Sequence, residues 1–69
     1  MVFAGTINPT TGVIVSHNEN LFSATDGVTM IQDLVSYSVG YTFRCASAGT
    51  FGIEPVEVGD MIIAIRDKG

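Results

Sequence analysis

Short apolar segments separated by clusters of polar turn residues run along the whole chain, and the first two predict a β-hairpin. Val2 to Ile7 has the length and composition of a strand, and Gly5 inside it marks a bulge or a close backbone approach. The cluster from Asn8 to Gly12 is typical of a turn whose last glycine adopts a positive φ. Val13 to Val15 is β-branched throughout. Residues 2–16 therefore predict two strands with a five-residue connection.

The middle of the chain is polar and predicts a loop and then one short helix. Residues 17–25 form the loop, and two apolar residues within it are expected to pack onto the core or a neighbour: Leu21 and Phe22. Asp26 and Gly27 indicate a further turn. Thr29 and Gln32 have the spacing of a helix capping box. The apolar residues that follow share one helical face: Ile31, Leu34 and Val35. The expected helix has about two turns, over residues 29–37.

The C-terminal half alternates again and predicts strands. In Tyr41 to Ala46, the side chains of Tyr41, Phe43 and Cys45 are expected on one face. Small residues from Ser47 to Gly52 predict a turn, and a short strand is expected at Val56 to Val58. Gly59 and Asp60 then predict a tight corner.

The last apolar segment, Met61 to Ile65, has no polar face. A strand exposed on one side would alternate, so this segment predicts a strand that is covered on both sides, by its own chain or by another one.

The expected fold is therefore mainly β: a small antiparallel sheet or barrel-like module with one short helix, in a single domain spanning residues 1–69. A chain of this length buries only about 60% of its unfolded surface. Small domains compensate with disulfides, a metal or oligomerisation, and the single cysteine rules out an internal disulfide. Apolar residues make up 46% of the chain and charged residues only 14%, below the roughly 25% of typical soluble domains. We therefore expect oligomerisation to complete the module.

The charge of the chain disfavours several classes of partner. The net charge is −4, and the only cationic side chains are Arg44, Arg66 and Lys68. Nucleic-acid binding needs clustered Lys and Arg, so neither nucleic acid nor an anionic membrane surface is expected as a partner. No apolar segment approaches the roughly 20 residues of a spanning helix, and no signal peptide is visible.

Side chains capable of catalysis are few and do not form a known motif. Cys45 lies in a predicted strand and is expected to be a small buried hydrophobe, and His17 a solvated loop residue. Glu54, Glu57 and Asp60 flank a turn, where they are expected to be solvated edge charges rather than a calcium site. We therefore predict no catalytic, cofactor-binding or metal-binding residue, no cofactor, and no enzymatic activity.

Aromatic side chains are the remaining candidates for function, as interface anchors. Phe43 is expected in the core, whereas Tyr37 and Phe51 fit either the core or a contact between chains. Tyr41 is a further candidate anchor.

Three segments in order resemble a module of tailed-bacteriophage virion proteins, the tail-fibre and head-fibre proteins of phages that infect gut bacteria. They are Gly40 to Arg44, Ala48 to Gly52 and Val56 to Ile63, and Phe3 to Gly12 resembles the strand and turn that often precede it. The resemblance implies a non-enzymatic, β-rich and usually trimeric element of a longer fibre. It implies location in the virion and contact with other virion proteins, and it leaves open whether the module also contacts a host receptor. Ile53 to Pro55 departs from the pattern, where a glycine-rich link would be expected.

Two alternatives remain open. Val56 to Ile63 also resembles corners in small barrels of the lipoyl or SH3-like kind, which would make the chain a monomeric protein- or ligand-binding module. The absence of a lysine at a hairpin tip argues against a swinging-arm carrier. A small enzyme subunit would need Cys45 or His17 in a catalytic role.

Overall fold

Four strands form one sheet in the computed structural model, which describes residues 1–69. The elements are β1 (Val2–Ile7), β2 (Ile14–His17), a 3-10 turn (Ile31–Asp33), β3 (Tyr41–Cys45), β4 (Gly49–Phe51), β5 (Glu54–Val56) and β6 (Met61–Ile63). The sheet has the order β2-β1-β3-β6, while β4 and β5 pair as a separate hairpin. The mainly β fold class is confirmed, as an open sheet and not a closed barrel. No helical segment of the chain has the length and apolar character needed to cross a membrane.

The sheet is mixed rather than fully antiparallel. β1 pairs antiparallel with β2, and β3 pairs antiparallel with β6, but β1 and β3 run parallel. Parallel neighbours need a crossover connection of a dozen or more residues, and residues 18–40 supply it. This crossover packs against one side of the sheet, which we call the inner face.

The predicted N-terminal hairpin is confirmed, and Asn8 organises its turn. Its side-chain Oδ1 accepts the backbone N–H groups of Thr10 at 3.0 Å and Thr11 at 3.2 Å. Gly12 has the expected positive φ of 80°. These local bonds fix the connection between β1 and β2.

Gly5 is both a bulge and a close-approach point, as predicted. The register between β1 and β3 shifts between Phe3 and Gly5, and Gly5 has a φ of 153°. A β-carbon at this position would overlap the backbone carbonyl oxygen of Ser16.

The prediction of a two-turn helix over residues 29–37 is wrong, because only the 3-10 turn Ile31–Asp33 forms there. The Thr29 hydroxyl accepts the backbone N–H of Thr25 at 2.8 Å and is not used as a helix cap. The Thr29 carbonyl accepts the N–H of Ile14 at 2.9 Å. This stretch is therefore bonded to the edge of β2, which outweighs its weak helix propensity.

The core lies between the inner face and the crossover. Its buried members are Ala4, Ile7, Ile14, Leu34 and Phe43. Leu21 and Phe22 pack against this cluster from the loop, so the prediction that they contact the core is confirmed. The Phe22 ring lies 6.2 Å from Tyr41 and 6.0 Å from Phe43, measured between ring centroids. These contacts fasten the crossover to the sheet.

Strand bounds in the C-terminal half differ from the prediction. Residues 49–51, expected within a turn, form β4, and the expected strand at 56–58 is shifted to Glu54–Val56. Pairing with β4 explains the shift, because Gly49 faces Val56 in this hairpin. The corner before β6 forms as predicted, with φ of 92° at Gly59.

Candidate interaction surface

The side of the four-stranded sheet opposite the core is uncovered, and we call it the outer face. Residues that stand opposite each other on neighbouring strands share a face of the sheet. The register aligns Phe3 with Thr42 and Thr42 with Ile63, and it aligns Thr6 with Arg44 and Arg44 with Met61. Together with Ser16, which faces Thr6, these residues make up the outer face.

The outer face has an apolar patch along one half. Phe3, Ile63 and Met61 are large apolar side chains that remain 54%, 47% and 51% exposed. Thr42 is buried between its two apolar neighbours, and its hydroxyl donates to the Gly40 carbonyl at 3.0 Å. Leu21 and Phe22 of the loop and Ile31 of the 3-10 turn pack against the core on the inner face.

The polar half of the outer face lies toward β2. Thr6 and Ser16 share a side-chain hydrogen bond of 2.7 Å, and the Arg44 guanidinium is exposed with no acidic partner in the chain. An apolar patch beside an unpaired cation is a surface that a protein partner can cover while supplying a carboxylate.

Strand β6 also presents an open edge. The Asp60 carbonyl and the Ala64 N–H both bond to β3, so the alternation of the ladder directs the backbone groups of Met61 and Ile63 away from the sheet. The opposite edge is partly protected, because the Gly27 N–H and the Thr29 carbonyl both bond to Ile14 of β2. The unprotected edge and the apolar patch therefore meet at β6, in the segment for which the sequence predicted a covered strand.

A second feature is an apolar cleft of about 470 Å³ on the inner-face side. Its walls include Tyr41, Phe43 and Ile62 from the sheet, and Ile65 from the segment after β6. Arg66 and Lys68 also line it, so two of the three cationic side chains of the protein lie here.

The candidate anchor residues occupy two environments. Phe43 is buried in the core as predicted. Tyr37 and Phe51, for which core and contact were both open, line the cleft, where Tyr37 is half-buried and Phe51 is exposed. Both side chains are therefore accessible to a ligand or a protein segment that binds in the cleft.

Cys45 is fully buried, which confirms its prediction as a core residue. Burial raises the pKa of its thiol, and the nearby Asp60 carboxylate raises it further. Both effects disfavour the thiolate, which is the nucleophilic form.

His17 differs from its prediction as a solvated loop residue. It ends β2, and its ring lies 5.2 Å from that of Phe22, so its side chain is only 10% exposed. Its Nδ1 is 2.5 Å from Oδ1 of Asp26. This contact joins β2 to the turn at residues 26–27, and sequence spacing alone gave no sign of it.

The three carboxylates near the C-terminal turn do not converge. The Asp60 Oδ2 accepts the backbone N–H of Glu57 at 2.9 Å, and Glu54 is exposed in β5. The structure places no three His, Cys, Asp or Glu side chains together as metal binding would require.

Sequence reasoning missed the role of Phe3 and Arg44 in the outer face. Their strands are each predicted correctly, but the two residues share a surface only because β1 and β3 are neighbours. Comparison with protein-family models, with curated proteins and with solved structures finds no match to this chain.

Proposed function

We propose that this chain is a non-enzymatic structural module of a bacteriophage virion, a fibre or adhesin component that acts through homo-oligomeric assembly, with a trimer as the favoured state. The observation that carries the assembly part is the uncovered outer face, where Phe3, Met61 and Ile63 lie half-exposed beside the open edge of β6. Burying such a patch is favourable, at about 25 cal/mol per Å² of apolar area.

A stable assembly would need to bury more area than this one face offers. A stable interface buries about 800 Å² per partner, roughly a fifth of the 4320 Å² surface of this chain. Four strands spaced at about 4.8 Å, each about five residues long, cover roughly 300 Å² in projection. A stable oligomer would therefore recruit a second surface, and the cleft is the other large apolar feature.

The virion part of the proposal rests on the resemblance of the C-terminal segments to phage fibre modules. It implies other virion proteins as partners, and we propose a contribution to host attachment as a further role. Mass spectrometry of purified particles tests it: the chain should be present in a copy number divisible by three. Particles that lack the chain would refute the virion assignment.

A monomeric binding module is the second candidate, and the cleft favours it. Its volume of about 470 Å³ falls in the range of ligand pockets, about 300–1,000 Å³. Because the sheet is open, a ligand would enter this cleft rather than the mouth of a barrel. A monomer whose melting temperature rises on adding an apolar ligand would support this function over assembly.

A further inference from the structure

We propose that the tip of the β4–β5 hairpin of one subunit inserts into the apolar cleft of a second copy of this chain. In this contact Ile53 enters the cleft and Glu54 pairs with Arg66 at its rim. The inference rests on the proposed homo-oligomer and specifies one of its interfaces.

The hairpin tip is unusual because it is apolar. Ile53 is 93% exposed, more than any other large apolar side chain in the chain, although tight turns are normally polar. Gly52 has a φ of 63° and makes the turn, while the base is held by the Thr50 N–H, which donates to Thr10 Oγ1 at 3.3 Å. The hairpin is held at its base and exposes an isoleucine at its tip. Such a side chain resembles the anchor residues of protein interfaces, which fill a pocket of the partner.

The cleft is complementary to this tip in chemistry. Most of its lining is apolar, and Arg66 and Lys68 add positive charge. The Lys68 ammonium donates to the Gln32 carbonyl at 3.1 Å, whereas the Arg66 guanidinium has no hydrogen bond or acidic partner. The only ion pair within the chain joins His17 to Asp26, so the Glu54 carboxylate is also unpaired. An apolar residue followed by a carboxylate matches a cleft with one free cation at its rim.

The hairpin tip and the cleft of one chain are separate surfaces. Phe51, two residues before the tip residue Ile53, lines the cleft, but Ile53 does not line the cleft of its own chain. Tip and cleft therefore lie at the same end of the molecule without filling each other. A contact between two different surfaces is heterologous, and it closes into a ring when the rotation between subunits allows.

A charge exchange tests this contact. Glu54→Arg and Arg66→Glu should each lower the mass measured by light scattering after size exclusion and weaken association at least tenfold. The double variant keeps the wild-type net charge and should restore the mass. Glu19→Arg makes the same charge change at an exposed loop residue and should leave the mass unchanged. Ile53→Ser should also weaken association, and circular dichroism should show that it stays folded.

The outcomes separate this inference from the proposed function. If the wild-type chain is an oligomer and both single variants keep its mass, the tip–cleft contact is wrong while assembly stands. If the single variants dissociate and the double variant does not recover, the pairing of Glu54 with Arg66 is wrong. A monomeric wild-type chain refutes both proposals.

Discussion

The backbone of Gly5 lies so close to the Ser16 carbonyl oxygen across the β1–β2 pair that no β-carbon fits between them. Gly5 also has a φ of 153°, which side chains rarely adopt. We therefore predict that Gly5→Ala lowers the free energy of unfolding, measured by urea denaturation, by pushing β2 away from β1.

Gly27 provides the matched control for this substitution. It has a positive φ of 78°, but a β-carbon there meets nothing within 4 Å. Gly27→Ala should lower the free energy of unfolding only by the backbone strain, about 1–2 kcal/mol. Gly5→Ala should lower the free energy of unfolding by more. If both substitutions lowered the free energy of unfolding equally, the close approach of Gly5 to the Ser16 carbonyl would be contradicted.

The outer face gives a prediction about association rather than folding. Met61→Thr places a β-branched side chain in β6 but removes apolar area from an outer-face position that is 51% exposed and does not line the cleft. Stability of the subunit should change by less than about 1 kcal/mol, whereas dissociation on dilution should begin at a higher protein concentration.

Val28→Thr is the control for the outer face, because Val28 is 69% exposed in the loop and takes no part in the sheet. Dilution experiments on both variants compare the two sites. The role of the outer face would be contradicted if Val28→Thr promoted dissociation as strongly as Met61→Thr.

Cys45 predicts a dependence of stability on pH. Burial, aided by Asp60, raises the pKa of its thiol in the folded state. As the pH rises above about 8.5, the ordinary thiol value, the unfolded chain loses this proton while the folded chain keeps it. The free energy of unfolding should therefore fall in this range, and Cys45→Ala should show a smaller fall.

Thiol alkylation checks the same feature at neutral pH. Cys45 should react only as fast as the protein opens, because the thiol is buried and protonated. A variant carrying Cys45→Ala and Ala48→Cys places the thiol at an exposed position and should react rapidly. Rapid reaction of the wild-type thiol in the folded state would contradict its burial.

Local patterns predicted the elements that depend on neighbouring residues. The hairpin of β1 and β2 follows from its turn residues, and the alternation in β3 places Phe43 and Cys45 inside correctly. The bulge at Gly5 was also predictable, because a glycine within a strand often marks a bulge or a close backbone approach.

Elements that depend on distant partners were not predictable in the same way. Thr29 and Gln32 have capping spacing, but the Thr29 carbonyl bonds to Ile14 of β2, 15 residues earlier in the sequence. The parallel pairing of β1 with β3 likewise has no local signal, so the outer face could not be derived. The apolar character of Met61 to Ile65 did predict a segment that another surface covers. In the single chain, Met61, Ile63 and Ile65 are 51%, 47% and 82% exposed.

The mass of the protein in solution tests the central claim most directly. Light scattering coupled to size exclusion at micromolar concentration should give three times the 7.3 kDa of one chain, because assembly buries the apolar patch of the outer face and the apolar lining of the cleft. A stable species of 7.3 kDa across this concentration range would contradict assembly.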